Sequence, residues 1–85
     1  MIRIPILSKF EYQGQLELFG KIESGIIQPN MKVTILPTQD KLTIVTIQDD
    51  DDKDVAWAGP GENVKLIVKN VEFDRVRRGN IICGQ

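Results

Sequence analysis

Histidine is absent from the 85 residues, and cysteine occurs once, at Cys83. Without histidine the chain lacks the commonest general base and a frequent zinc ligand, which excludes the usual catalytic triads and most zinc sites. A single cysteine cannot form an internal disulfide and is typical of a protein in a reducing compartment. Because Cys83 follows two isoleucines in the apolar run 81–83, we interpret it as a buried structural thiol rather than a nucleophile.

Strong net charge and long hydrophobic runs are also missing. The net charge is −1 and 27% of the residues are charged, so no overall field attracts the protein to nucleic acid or to a membrane. No apolar run approaches the ~20 residues of a membrane span, and residues 1–5 lack the apolar core of a signal peptide. With 41% hydrophobic residues the chain is typical of one small globular domain, which we expect in the cytoplasm with no membrane partner.

Apolar and polar residues alternate along most of the chain, and no amphipathic helix of useful length is present. The alternation predicts strands at residues 2–6, 16–23, 31–35, 42–47, 55–58, 62–69 and 81–83. A break in its phase at Phe19–Gly20 predicts a bulge or a bend of the strand, and a break between Ile44 and Val45 predicts a bulge. Pro5 indicates an edge strand or a strand start. Short strands separated by Gly and Pro predict an all-β fold, a small closed antiparallel barrel of six or seven strands.

Two segments resemble ligand-binding loops but fail on detail. Residues 14–21 read Gly-x5-Gly-Lys, which is one residue too long for a phosphate loop, and Ile22 stands where Ser or Thr is required. Four aspartates occupy residues 49–52, but a calcium loop starting at Asp51 would place Ala56 where glycine is needed. We therefore predict no catalytic residue, no bound cofactor and no specific metal site in this chain.

Three motifs in a fixed order carry a family resemblance. They are residues 20–25 (Gly-Lys-Ile-Glu-Ser-Gly), 59–64 (Gly-Pro-Gly-Glu-Asn-Val) and 78–80 (Arg-Gly-Asn). Together they resemble the second domain of the translational GTPases. The resemblance implies a β-barrel of the translation-factor domain 2 type over residues 1–85, excised from a longer protein. In that protein GTP and Mg²⁺ would bind a separate GTPase domain, and that domain and a third barrel would be its neighbours.

Different segments of the chain resemble different subfamilies of the translational GTPases. Carriers of aminoacyl-tRNA have acidic or polar residues and then an aromatic after the first Pro-Ile, whereas this chain has Leu7 and Ser8 before Phe10. Residues 9–10 and 20–25 are more similar to the eukaryotic release-factor GTPase. Residues 68–71 and 76–80 resemble eukaryotic elongation factor 1-alpha, and residues 56–58 resemble the ribosome-rescue GTPase.

The leading hypothesis is a non-catalytic barrel of a translation-termination GTPase that contacts small-subunit rRNA. A stop-codon-reading release factor would be a further partner of the whole protein. One alternative is the corresponding domain of an elongation factor 1-alpha-like carrier, which binds the aminoacyl-tRNA end. The other is a free-standing nucleic-acid-binding barrel.

Two sets of residues are candidates for contacts. Basic residues concentrate in the last quarter of the chain, and either contact rRNA phosphates or form an ordinary solvated face. This candidate rRNA set is Lys65, Lys69, Arg75, Arg77 and Arg78. Alternatively, one of its arginines, with Arg78 beside Gly79 as the first candidate, is tied to a carboxylate such as Glu72 or to the adjoining GTPase domain. The candidate interdomain or tRNA-end surface is Phe10, Lys21, Glu62 and Asn63, although Asn63 also suits a role in its own turn.

Overall fold

The computed structural model describes residues 1–84, which form seven strands and one short 3₁₀ turn at Phe73–Arg75. The strands are β1 (Ile2–Tyr12), β2 (Gln15–Lys21), β3 (Lys32–Leu36), β4 (Asp40–Gln48), β5 (Asp54–Val55), β6 (Asn63–Lys69) and β7 (Ile81–Gly84). No helix within the described residues has the length and hydrophobicity to cross a membrane.

The strands close into a barrel. Their order is β3-β7-β1-β2-β6-β4, and β4 pairs back onto β3, so six antiparallel strands form a ring. The seventh strand, β5, adds two residues to the end of β4 outside this ring. The predicted all-β closed barrel is therefore confirmed, and closure leaves no long unpaired edge.

Alternation along the strands fills the barrel. On β6, Val64, Leu66 and Val68 are buried while the residues between them face outward. Burying such an aliphatic side chain stabilises the fold by roughly 1.5–3 kcal/mol. The inward side chains of the six barrel strands include Ile2, Ile4, Ile6, Leu16, Leu18, Val33, Ile35, Leu42, Ile44, Ile47, Val64, Leu66, Val68 and Ile82. Cys83 is only half-buried, contrary to the prediction, because Ile82 takes the inward position beside it.

Strand β1 changes partners in the middle. Its first residues pair with β7, and from Ile6 onward it pairs with β2, opposite Gly20. The register shift lies in β1 between Ile6 and Ser8, directly opposite Phe19–Gly20, where a bulge or a bend was predicted, so the extra residue belongs to the partner strand. Pro5 is accordingly not on an open edge, because it pairs with β7 and lies just before this crossing point.

Strands β4 and β5 differ in how well the alternation predicted them. The predicted bulge in β4 is confirmed as a register shift between Ile44 and Thr46. The strand predicted at residues 55–58 is shorter than expected, because β5 ends at Val55. Trp57 then turns out to solvent, and Ala58 returns to form an isolated bridge with Ile27.

A loop over residues 70–80 covers one end of the barrel. Val76 is fully buried and fills that end. Lys9 holds the 3₁₀ turn. Its ammonium donates a 2.8 Å hydrogen bond to the backbone carbonyl of Phe73 and lies 3.8 Å from the centroid of the Phe73 ring. Beyond it, Ile6 and Gly79 are joined by a backbone hydrogen bond. The loop is thus tied to β1 at two points.

The crossing of β1 and β2 generates a stability prediction for Gly20. A Cβ atom added there would lie 2.5 Å from the Pro5 carbonyl oxygen and 2.9 Å from Cγ2 of Ile4. Backbone cannot move aside without disturbing the ladder, so we expect Gly20→Ala to destabilise the fold by about 1–3 kcal/mol, as overpacking does. Urea denaturation measures this.

Gly59→Ala is the matched control. A Cβ at Gly59 meets only ordinary contacts, 3.6 Å from the Trp57 ring and 3.7 Å from Ile26. We expect this variant to be as stable as the native chain or up to about 1 kcal/mol more stable, because alanine restricts the unfolded chain. If the two variants unfold at the same urea concentration, the proposed constraint at Gly20 is wrong.

Candidate functional site

The turn at residues 59–62 clasps the segment that follows β2. The Glu62 carboxylate accepts a 2.6 Å hydrogen bond from the Gly59 amide, which closes the turn. The Gly61 amide donates to the Ile22 carbonyl, and the Ile22 amide donates to the Glu62 carbonyl. Gly61 has φ +89°, a conformation that favours glycine. Two of the three family motifs therefore bind each other through their backbones.

This turn separates the roles of Glu62 and Asn63. The Glu62 carboxylate is engaged within the turn, whereas the side chain of Asn63 makes no hydrogen bond within residues 1–84. The turn role considered for Asn63 thus belongs to Glu62. Asn63 pairs across the ladder with Lys21, and both are exposed. The structure brings together these three members of the candidate interdomain set at one end of the barrel.

Phe10 lies apart from that group. It is opposite Glu17 near the end of the β1–β2 hairpin, while Lys21 is at the other end of β2. Its ring packs edge-to-face on Phe19 with 5.5 Å between centroids, and 55% of the residue remains exposed. The predicted interdomain or tRNA-end surface is therefore two separate patches along one ribbon.

A groove runs along the outer wall between these patches, and we call it the lateral groove. Its apolar side is Leu7 and Phe19, and Asn63 and Lys65 lie across from them. The acidic loop completes the rim with Asp49, Asp50 and Asp52. Asp49 shapes this loop, because its carboxylate accepts hydrogen bonds from the amides of Asp51 and Lys53.

Lys65 and Lys69 share the outer face of β6, as predicted, but have different surroundings. Lys65 is opposite Phe19 and Gln48, with its ammonium 3.4 Å from the Asp52 carboxylate and 5.8 Å from the Phe19 ring centroid. Lys69 lies four residues further on, about 13 Å away along the strand. Lys65 is therefore paired within the lateral groove, whereas Lys69 takes part in none of the ion pairs formed within residues 1–84.

Arg75 is tied to the barrel. Its guanidinium donates two hydrogen bonds, of 2.9 and 3.2 Å, to the two carboxylate oxygens of Asp40 at the start of β4. The hydrogen bond from Arg75 holds the pKa of the Asp40 carboxyl below its usual range, and the carboxylate in turn raises the pKa of Arg75. Among the three arginines considered for an ion pair, Arg75 rather than Arg78 forms one, and its partner is Asp40 rather than Glu72.

Arg77 and Arg78 occupy the tip of the turn before β7. The side-chain carbonyl of Asn80 accepts a hydrogen bond from the Arg77 amide at 2.9 Å, and Asn80 itself is 8% exposed. Gly79 has φ +88°, which suits glycine. The Arg-Gly-Asn motif therefore has a structural basis, with glycine and asparagine closing the turn and both arginine side chains left in solvent.

Two exposed lysines, Lys32 and Lys41, are not among the candidate residues predicted from the sequence. Lys32 on β3 and Lys41 on β4 are exposed on the outer wall, beside the buried Val33 and Leu42. Their phase in the alternation indicates that they face outward. Their proximity to Lys69 depends on strand pairing, which the alternation does not reveal. Within residues 1–84 no group of three or more Cys, Asp or Glu side chains is arranged to hold a metal ion.

The Asp40–Arg75 pair generates a pH prediction. The pKa of the Asp40 carboxyl is lower in the folded state than in the unfolded chain, where it is about 3.9. The ion pair therefore stabilises the fold fully above the unfolded pKa, and this stabilisation is lost as the pH falls through the folded pKa. We expect Asp40→Asn to lower the melting temperature slightly at about pH 7, because the pair is solvent-accessible. Near pH 2 the variant and the native chain should melt together.

Asp74→Asn is the control for this measurement. Asp74 lies on the same loop, is exposed, and takes part in none of the ion pairs within the described chain. Thermal unfolding followed by circular dichroism should show no comparable pH-dependent difference for it. A gap between Asp40→Asn and the native chain that persists at about pH 2 would contradict the assignment.

Comparison with known proteins places this geometry in a family. The elongation factor Tu domain 2 family matches residues 17–83. The eukaryotic peptide chain release factor GTP-binding subunit of Dictyostelium discoideum is 32% identical over 83 residues, 96% of this chain and 15% of that protein. Elongation factor 1-alpha of Coccidioides immitis is 31% identical over 81 residues, 94% of this chain and 17% of that protein.

Solved structures agree with the sequence match. The crystal structure of sup35 complexed with GMPPNP superposes with a TM-score of 0.88 at 31% identity, over 95% of this chain and 19% of that one. The chain thus spans less than a fifth of the length of each relative described here. It belongs to the elongation factor Tu domain 2 family, the β-barrel that forms the second domain of translational GTPases.

Proposed function

We propose that this chain is the non-catalytic second domain of a GTPase that acts in translation termination in the cytoplasm. GTP and Mg²⁺ bind an adjacent GTPase domain of the same protein, and that domain and a third barrel pack on this one. The barrel contacts small-subunit rRNA, and a stop-codon-reading release factor binds elsewhere on the protein. The family match favours such a domain over a free-standing barrel.

The charge of the lateral groove supports termination over tRNA delivery. In carriers the segment that follows the first Pro-Ile helps hold the aminoacyl-tRNA end, and here Leu7 exposes an aliphatic side chain at that place. Three aspartates rim the groove, and its lysine is paired with Asp52. The groove therefore lacks a free cation for this ligand.

A carrier function is the second candidate, and one observation favours it. Phe10 keeps an exposed aromatic face supported by Phe19, which offers a stacking surface for a base. The similarity to elongation factor 1-alpha, at 31% identity, is nearly equal to that of the release-factor subunit. The two functions must therefore be separated by experiment.

Two chimeric proteins test the proposal. The second domain of the Dictyostelium release-factor subunit is replaced by this chain in one, and the second domain of elongation factor 1-alpha is replaced in the other. We expect the release-factor chimera to retain most of its GTP-dependent stimulation of peptide release. We expect the carrier chimera to lose at least about tenfold in affinity for aminoacyl-tRNA, corresponding to about 1.4 kcal/mol.

A double variant of the carrier chimera provides the control. Leu7→Glu with Ser8→Asp restores the acidic residues that carriers have after the first Pro-Ile, and should recover part of the lost tRNA affinity. A release-factor chimera that is inactive, beside a carrier chimera that binds tRNA tightly and loses this on Phe10→Ala, would show that the carrier assignment is correct.

The exposed arginines generate a separate prediction. In the release-factor chimera, Arg77→Ala with Arg78→Ala should weaken ribosome association, and the plot of log affinity against log salt should become shallower by about 1.8, or 0.9 per lost phosphate contact. Folding should be unchanged, because neither side chain is among the ion pairs within residues 1–84. Ribosome pelleting at several salt concentrations measures the slope.

Arg75→Ala separates charge from structure in this experiment. Because Arg75 is held by Asp40, its loss should lower the melting temperature of the isolated domain as well as remove a charge. If the Arg77 and Arg78 variant binds ribosomes like the parent chimera at every salt concentration, this turn does not contact rRNA.

A further inference from the structure

Three lysines converge on the outer wall of β3, β4 and β6, away from the lateral groove. Lys32 and Lys69 are the direct cross-strand partners of Thr43, one on each side of it. Neighbouring strands lie about 4.8 Å apart, so the two lysines flank Thr43 across a span of about 10 Å. Lys41 lies two residues before Thr43 on the same face of β4. We call this set the lysine wall.

Two members of the lysine wall, Lys32 and Lys41, line a shallow groove with a polar floor, and Lys69 flanks it as a cross-strand partner of Thr43. Lys32, Lys41, Thr43 and Asn70 line the groove together with Leu42. Thr43 is only 8% exposed, and its hydroxyl accepts a 3.2 Å hydrogen bond from the Asn70 side-chain amide. The hydroxyl proton stays available as a donor in the floor.

None of these three lysines forms an ion pair within residues 1–84. The ion pairs within residues 1–84 are Arg3–Glu23, Lys65–Asp52 and Arg75–Asp40, and none includes a member of the lysine wall. The groove continues past Lys41 and Asn70 into a second one that contains Asp40 and Glu72. Asp40 is already bound by Arg75, so Glu72 is the carboxylate left on that side.

We infer that the lysine wall binds the phosphate backbone of RNA. Three lysines that form no ion pair within residues 1–84, two of them lining a polar groove, make a positive surface on a protein whose net charge is −1. The choice of RNA over another polyanion rests on the proposed ribosomal function. The inference adds a binding surface outside the motifs and outside the arginine turn.

The surroundings of the groove favour backbone contacts over base recognition. The exposed aromatic rings are elsewhere, with Phe10 and Tyr12 on the β1–β2 hairpin and Trp57 after β5. Recognition of single-stranded bases relies on aromatic stacking, whereas phosphate contacts need only positioned cations. The lysine wall should therefore bind duplex RNA with little dependence on sequence.

Binding of the 85-residue chain to a fluorescein-labelled RNA hairpin tests the inference. Fluorescence anisotropy is measured at several salt concentrations for the native chain and for Lys41→Gln with Lys69→Gln. We expect the variant to bind more weakly, with a salt slope shallower by about 1.8. The affinity ratio between native chain and variant should then shrink about 12-fold from about 50 to about 200 mM salt.

Two matched variants control for net charge and for fold. The second glutamine variant, Lys53→Gln with Ala56→Glu, lowers the net charge by the same two units at exposed positions near the other end of the barrel and should keep the native slope. Lys41→Arg with Lys69→Arg keeps the positive charge and should also keep the native salt slope. Equal slopes for the two glutamine variants, or no measurable salt dependence in the native chain, would overturn the inference.

The nature of the polyanion and the link to termination are tested separately. Competition by polyglutamate that exceeds competition by unlabelled hairpin at equal charge would overturn the assignment to RNA. The hairpin assay contains no ribosome and no GTP. An inactive release-factor chimera with intact hairpin binding would therefore reject the proposed function and leave the lysine wall in place.

Discussion

Closure of the barrel depends on the point where β1 leaves β7 and joins β2. At Ile6 the strand meets Gly20, and the extra residue between Ile6 and Ser8 lets it bend without breaking either ladder. The two strands approach so closely there that only glycine fits opposite the Pro5 carbonyl. Because β1 serves two partners, a small chain can close a ring of six strands, and the surfaces described above are all placed by that ring.

The family motifs belong to this scaffold more than to any chemistry. Gly61 and Glu62 bind the backbone of Ile22, and Gly79 and Asn80 close the turn that leads into β7. Residues required by the barrel are expected to be shared by release factors and tRNA carriers alike. This explains why the motifs identify the family and leave the two subfamilies at nearly equal identity.

Local pattern was sufficient for the fold but not for the surfaces. The alternation on β6, the shift after Ile44 and the closed all-β architecture follow from residues near one another in sequence, and the structure confirms them. The pairing of Arg75 with Asp40 joins residues 35 positions apart. It depends on where the loop over residues 70–80 crosses the barrel end, which no local pattern specifies. The phase break at Phe19–Gly20 likewise predicted an irregular ladder, as a bulge or a bend, without showing that the extra residue lies in β1.

The same limit explains why counting charge along the chain located the cations poorly. The five basic residues of the last quarter of the chain have four different surroundings. Lys65 is paired with Asp52, and Arg75 is bound by Asp40. Arg77 and Arg78 are exposed in a turn, and Lys69 lies on the outer face of β6. The register of the strand pairing places Lys69 opposite Thr43 of β4, which in turn lies opposite Lys32 of β3. The acidic loop lies at the β4–β5 connection, and Lys41 lies near the opposite end of β4. A nearly neutral domain is therefore electrically polarised along its barrel, so a polyanion approaching it is oriented before any specific contact forms.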